Sequence, residues 1–534
     1  MMRRRDLLQT VAVAWFADQV LPDHEHIRGQ LVGASHRVGH KLRMPLPAGA
    51  PDATERTQIV VVGGGVSGLT AAWRLEGAGA EVMGLELEPF IGGTSTWGQQ
   101  GVVPHPWGAH YLPVPEPEAE PVRRILAELG VLTGWDAAGR PLFAGEHLCH
   151  APEERLFYRG QWYGGLIPWD ALTLSERREM ERFQTVVESW ATARGSDGKR
   201  AFTIPLTGAS RDPRFVALDR ISMADWLDER GFSTPFLRWY VEYGTRDDFG
   251  AVLSETSAWA GLHYFAARSM ETAQLEGSRY LVWPEGNGWL VKGLRSRLSA
   301  DWRHRALALR VAPSGAGGVA VDYLDVERDE VRRVTADGVV LATPSFVTSR
   351  LVAGLTGVAS LPARATSPWV VANVHVERDW EPNRAWDSMI YDSPSLGYVD
   401  AGHQGGAPKR RTVLTHFTAF GDADVAGTRA MLLGRGWAGH AGAVLADLRI
   451  AHPEIVEQCW RGDVMVWGHA MQRPRPGFLG RDPMGSSPMI AERVAWGHVD
   501  QTGYALFEEA TDRGVRAAEA LGEALGLPMG DSYV

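Results

Sequence analysis

The sequence predicts an α/β protein in which a Rossmann-like dinucleotide-binding domain is interleaved with an α+β domain for substrate. Three observations lead there: a strand, glycine turn and acid near residue 60, a long helical and aromatic-rich stretch after residue 130, and a return of apolar strands towards the C-terminus. The first element is Gln58-Ile59-Val60-Val61-Val62, whose β-branched run suits a strand buried on both faces. In Gly63-Gly64-Gly65-Val66-Ser67-Gly68, Gly63 allows the tight turn, Gly65 lets the backbone approach a pyrophosphate and Gly68 lets helix pack on sheet. The helix opening at Val66 and Ser67 offers free N–H groups and a positive dipole end to phosphates, and Leu69, Ala72 and Leu75 give it an apolar stripe. Val82-Met83-Gly84-Leu85 is the second strand, and Glu86 at its end is placed for a ribose hydroxyl.

Composition bounds the remaining classes. At 534 residues, 45% apolar and 22% charged, the chain can bury a large core in two interleaved domains. A net charge of −10 and the lack of a basic run beyond the extreme N-terminus argue against nucleic acid. Cys149 and Cys459 are too few for a disulfide framework or a zinc site, and His24-Glu25-His26 reads as solvated loop, so no metal is expected. No run reaches the ~18 apolar residues that a membrane-spanning helix needs. Arg3-Arg4-Arg5 followed by the apolar stretch to Ala17 resembles a twin-arginine signal, which implies export to the periplasm; the alternative is a retained basic-capped helix in a cytoplasmic protein.

After Glu86, the run Leu87-Glu88-Pro89-Phe90-Ile91-Gly92-Gly93-Thr94-Ser95 resembles the second glycine signature of FAD enzymes of the amine oxidase, protoporphyrinogen oxidase and phytoene desaturase superfamily. Gly92 and Gly93 would pass beneath the pyrophosphate while Thr94 and Ser95 donate hydrogen bonds to it. The resemblance implies an FAD-binding domain, of the glutathione-reductase-like type, assembled from residues 56–130, 281–345 and 471–534. A helical part (131–280) and a sheet part (346–470) would form the substrate domain, behind a signal-like lead-in (1–55).

Within that frame, Gly108 and Ala109 match the small pair that lets the isoalloxazine ring approach the backbone, and His110 would face ring or substrate. Thr173-Leu174-Ser175-Glu176 is a capping box opening a long helix, Ser222 starts another, and Phe236 to Phe249 continues helically. Trp259, His263, Tyr264 and Phe265 follow at pocket-compatible spacing, with core packing as the alternative for each. Trp283-Pro284-Glu285-Gly286-Asn287-Gly288-Trp289-Leu290 resembles the turn that re-enters the FAD domain, and Val311 would be the backbone contact to adenine. At the C-terminus, Trp496-Gly497-His498-Val499-Asp500 and the helix through Ala518 resemble the last flavin motif. Gly497 and Asp500 would then take the ribityl side, with His498 standing where an acid is usual.

The resemblance implies a noncovalent FAD that takes a hydride at N5 from a small amine or similar CH–X substrate, with O2 or another acceptor removing the electrons. Amine oxidases of the superfamily carry a lysine on the strand that here reads Val370 to Val376. This chain has Lys41, Lys199, Lys292 and Lys409, and Ala372 or Asn373 occupies that place. Two alternatives therefore stay open: a desaturase or isomerase of an apolar polyene or porphyrinogen-like substrate, and a flavin-binding protein without turnover. His110, Trp283, His469 and Tyr504 are the candidate pocket residues, imidazoles for proton transfer and aromatics for substrate contact.

Overall fold

Ile59–Val62 lies at the middle of a sheet because every residue in it is apolar and buried on both faces. Among the described residues the sheet runs Asp301–Arg303, Val82–Leu85, Ile59–Val62, Gly338–Leu341, Val494–Trp496, Met489–Ala491. All neighbours pair in parallel except the last two, which are antiparallel. The structure is a computed structural model that describes residues 26–45, 50–274, 279–315, 317–358, 360–377, 384–405, 410–421, 424–481 and 487–534. The basic segment read as an export signal, and His24, lie outside the described residues.

Helix Val66–Gly77 covers this sheet and is itself covered by the C-terminal helix Phe507–Ala524. The two helices touch closely at Ser67, whose hydroxyl donates to the Ala510 carbonyl at 2.6 Å. A four-stranded sheet, Ala53–Arg56, Glu330–Ala336, Val319–Asp325, Ala306–Pro313, adds a second layer. The strand pair expected around residues 307–321 is thus present and longer than its sequence signal. Ala53–Arg56, read from sequence as irregular lead-in, instead forms the parallel edge strand of this sheet.

The second large sheet holds the order Gln161–Gly164, Glu154–Tyr158, Asp387–Ile390, Tyr398–Asp400, Arg411–Ala419, Thr366–Glu377, Cys459–Gln472. Its first two strands come from a stretch the sequence presents as helical, so the division between a helical part and a sheet part is not clean. The helices fall where expected. Leu174–Ala191 opens on Thr173 with both halves of its capping box formed, and Met223–Glu229 does the same with Ser222 and Asp225. Pro235–Phe249 ends on Gly250 in the left-handed region. Trp226, Phe236, Trp259 and Tyr504 pack together in the core beneath these helices.

The lead-in is a tie between the two sheets. Arg28 and Leu31 bridge in parallel to Arg461 and Val464 on the edge of the seven-stranded sheet. A few residues on, the Ser35 N–H and hydroxyl donate to the Glu88 carboxylate at 2.6 and 2.8 Å. Val38 and Leu42 then pack over Leu87 and Leu307. No helix among the described residues is long and apolar enough to cross a membrane, and no group of three or more His, Cys, Asp or Glu among them is placed to hold a metal.

Candidate active site

Three glycine-rich segments stack into one cradle. Gly92 N–H donates to Gly64 O at 2.8 Å, and Gly65 and Gly92 form a parallel bridge. The next layer follows: Ala109 N–H donates to Thr94 O at 2.9 Å and Trp107 N–H to Thr96 O at 3.0 Å. A side chain on Gly108 would put its Cβ 2.2 Å from that same Thr94 oxygen, so the approach requires glycine. Asn287 N–H then donates to Ala109 O at 3.0 Å, bringing the turn after Trp283 against the same strip. Gly63, Gly65, Val66, Ser67, Gly68, Gly92, Gly93, Thr94, Ser95, Gly108 and Ala109 are thereby gathered into one place.

The cradle has the donor set a dinucleotide needs. Helix Val66–Gly77 begins on Gly65 without any side-chain cap, so its first-turn N–H groups and dipole end face the cradle. Thr94 is exposed there, with its hydroxyl available. Glu86 accepts from Gly64 N–H at 2.6 Å and Glu88 N–H at 2.8 Å, and burial pushes its carboxyl up to about 7. Such a carboxyl suits uncharged ribose hydroxyls as partners.

Some expected contacts move. Val311 is fully buried in its sheet opposite Val321, and in the same strand Ala306 donates its N–H to Glu86 O at 2.8 Å, which ties that strand to the end of Val82–Leu85. Ser67 points its hydroxyl at the C-terminal helix, which leaves only its N–H for the cradle. Gly497 packs against Arg513 and Ala517 and anchors its strand to Leu341. The Asp500 carboxylate is occupied by Ser345 N–H at 2.7 Å, by the Gln472 amide and by His498, and these donors hold it below the usual carboxylate range despite burial. It fixes the loop after Gly497 and is only 1% exposed, which sets it against the expected ribityl contact.

Beyond Ala109 the chain enters a second space. His110 stacks on Phe417 with ring centroids 4.6 Å apart and lines a small, partly open cavity of about 20 Å³ with Tyr111, Tyr243, Tyr264, Tyr280 and Trp386. Three carboxylates, Glu154, Asp247 and Asp387, line it too. None of the three makes an ion pair among the described residues; the nearby Arg268 is held by Asp248 in a bidentate pair at 2.9 and 2.7 Å. Burial drives the Glu154 carboxyl up to about 7 and raises those of Asp247 and Asp387, each further raised by its acidic neighbours. Burial also lowers His110 to about 4, so its imidazole is neutral at physiological pH.

The other three candidates do not line this cavity. Trp283 donates its indole N–H to His147 Nδ1 at 2.9 Å and stacks on Trp289. His469 pairs with Thr366 at 2.9 Å beside Phe346, and Tyr504 is a fully buried core residue against Phe249 and His263. Of the aromatic run near residue 260, Tyr264 faces the cavity while Trp259 and His263 are core. The acids were missed in sequence; an aspartate inside a helix one turn after Tyr243 was the available signal.

The raised Glu154 carboxyl has a thermodynamic consequence. Because its folded-state value lies above the unfolded one, its favourable contribution is complete below about 4.5 and is lost as pH rises through about 7. The stability of the ligand-free protein minus that of Glu154→Gln should therefore fall between pH 4.5 and pH 8, measured by urea unfolding. A constant or rising difference would refute the raised value.

Comparison with known proteins agrees with this architecture. Residues 61–129 match the family described as NAD(P)-binding Rossmann-like domain. The structure of wild-type putrescine oxidase bound to putrescine superposes with a TM-score of 0.62 at 17% identity, covering 87% of this chain and 99% of that one. Cyclohexylamine oxidase from Brevibacterium oxydans gives 0.62 at 17% identity over 88% and 99% of the respective chains. Thiamine thiazole synthase of Aeropyrum pernix is 41% identical over 76 residues, which is 14% of this chain and 24% of that protein. The chain thus has the mixed α/β fold of putrescine oxidase and cyclohexylamine oxidase, built on a Rossmann-like domain.

Proposed function

We propose that the protein is an FAD-dependent oxidoreductase that oxidises a small amine at the carbon beside its nitrogen. The observation that carries this reading is a small pocket of about 20 Å³ that His110, the residue directly after the Gly108-Ala109 pair of the cradle, lines together with aromatic rings and carboxylates that pair with no cation among the described residues. FAD, when bound, supplies a hydride acceptor at N5. The chain's own groups do the rest. The Gly63–Gly68 turn and the uncapped helix hold the pyrophosphate, Thr94 and Ser95 add donors, and Glu86 accepts from ribose. Glu154, Asp247 and Asp387 draw an ammonium group into the cavity, where aromatic faces add cation–π attraction. His110, neutral and stacked on Phe417, orients the substrate nitrogen rather than carrying charge to it.

Ala372 or Asn373 stands where the superfamily has its lysine, and the Asn373 amide donates to Pro106 O at 3.0 Å and accepts from the Thr415 hydroxyl at 2.7 Å. In this reading the strand braces the cradle, and the electrons leave to O2 or another acceptor without help from a lysine at that position. A polyene or porphyrinogen-like substrate is disfavoured, because apolar contents would set three polar carboxyl groups against hydrocarbon. Anaerobic mixing of the flavin-loaded protein with primary and secondary amines is expected to bleach the flavin band near ~450 nm. Bleaching by dithionite but by no amine would overturn the reading.

A further inference from the structure

A second cavity, of about 560 Å³, opens at the far end of the elements that build the His110 pocket. Strand Glu154–Tyr158 presents Glu154 to that pocket and Phe157 and Tyr158 to this one; strand Asp387–Ile390, paired with it in parallel, leads from Asp387 to Tyr391 and Asp392 in the same sense. Helix Pro235–Phe249 likewise has Pro235 at one cavity and Asp247 at the other. Three residues of strand span ~10 Å, so these are two separate places. The rings of the second cavity form a connected wall: Tyr391 meets Tyr158 edge-on at 4.7 Å and stacks on Phe236 at 6.0 Å. Its charged groups are Glu176, Asp392 and Arg159.

Glu176 is 8% exposed and accepts from the Thr173 N–H and hydroxyl, both at 2.8 Å, which fixes its carboxylate in the wall. Asp392 stands at the rim with φ 60°, in the turn after Asp387–Ile390. Burial raises the Tyr158 hydroxyl, and Glu176 and Asp392 raise it further, which places both acids around one phenol. Arg159 is drawn aside, donating to Ala171 O at 3.1 Å with its guanidinium 4.7 Å from the Tyr158 ring. We propose that this cavity binds a bulky organic cation, an ammonium carrying apolar groups, with its charge answered by Glu176 and Asp392 and its apolar groups laid on Phe157 and Tyr391. Two carboxylates beside aromatic faces attract such a charge, and the volume falls within the ~300–1,000 Å³ of small-molecule sites. An anion would meet two like charges against one engaged arginine, and a neutral apolar ligand would strip water from Glu176 with nothing in return. The ligand stays outside the His110 pocket and is not oxidised there.

Calorimetric titration of the full-length protein with benzyltrimethylammonium at neutral pH tests this, because the probe is too large for the His110 pocket of about 20 Å³. The expected result is binding at one site. Glu176→Gln combined with Asp392→Asn should weaken it about fivefold or more, and Tyr391→Leu should do the same by removing an aromatic face. Gln at 176 can still close the capping box with Thr173, and Asn accepts the left-handed backbone at 392, so the fold should survive, as thermal melting checks. Asp387→Asn, at the other end of the strand, should leave the probe's affinity within about twofold. Absence of binding to the unaltered protein, or affinity that survives the paired substitution or Tyr391→Leu, would overturn the assignment. Equal weakening by Asp387→Asn would overturn it too, by moving the cation to the inner pocket. The amine reading is judged separately, by the bleaching of the flavin.

Discussion

Gly68→Val is expected to yield protein that purifies without flavin and melts well below the unaltered chain. A Cβ at this position would lie 1.8 Å from Gly63 O and 3.0 Å from its carbonyl carbon, both backbone atoms that cannot swing aside. Relief requires moving helix Val66–Gly77 away from strand Ile59–Val62, yet the helix is pinned from behind, where Gly514 approaches Ser67 O so closely that its own Cβ would sit at 2.2 Å. Overpacking of this kind costs ~1–3 kcal/mol, and the displaced first turn no longer aims its N–H groups at one phosphate. Gly77→Ala, near the far end of the same helix with nothing within 4 Å, is the control and should retain colour. Flavin absorbance and thermal melting read both variants; a yellow Gly68→Val protein would remove the cradle from the account.

Removing one buried cation should have the second large effect. Arg268 lies beside the cavity with its side chain 12% exposed and holds Asp248, whose side chain is 5% exposed. Arg268→Ala leaves that carboxylate buried and unpaired, at a cost of ~3–5 kcal/mol. The doubly substituted Arg268→Met, Asp248→Leu protein should regain most of that loss, because two apolar side chains of similar volume need no charge compensation. Urea unfolding at pH 7 measures both, and a loss below ~1 kcal/mol for Arg268→Ala would show that water reaches the pair.

Much of the nucleotide half was legible because its signals are local. The turn, its glycines and Glu86 follow one another within thirty residues, and each answers a constraint of backbone geometry. The terminal helix, given in the sequence by resemblance to the last flavin motif, is present as Phe507–Ala524. What stayed hidden depends on distance in sequence. Glu154, Asp247 and Asp387 meet only because a strand, a helix and another strand from separate regions converge, and nothing in their immediate neighbours marks them as a set. The bulge between Ala308 and Arg310, which sets the register of the strand holding Val311, does not show as a pattern of residue types. Asp500 looked like a free acid until Ser345, Gln472 and His498 proved to occupy it. His469 and Tyr504 followed motif neighbours rather than geometry, and both face other parts of the protein.

The six-stranded sheet places Gly338–Leu341 between Ile59–Val62 and Val494–Trp496, and the helix that backs the phosphate turn ends at Ala524. A ribosome must therefore release almost the entire polypeptide before the nucleotide pocket has its walls. Loading of the proposed flavin would then follow translation, and a nascent chain stalled ahead of Met489 is expected to stay colourless even in a cell rich in the coenzyme.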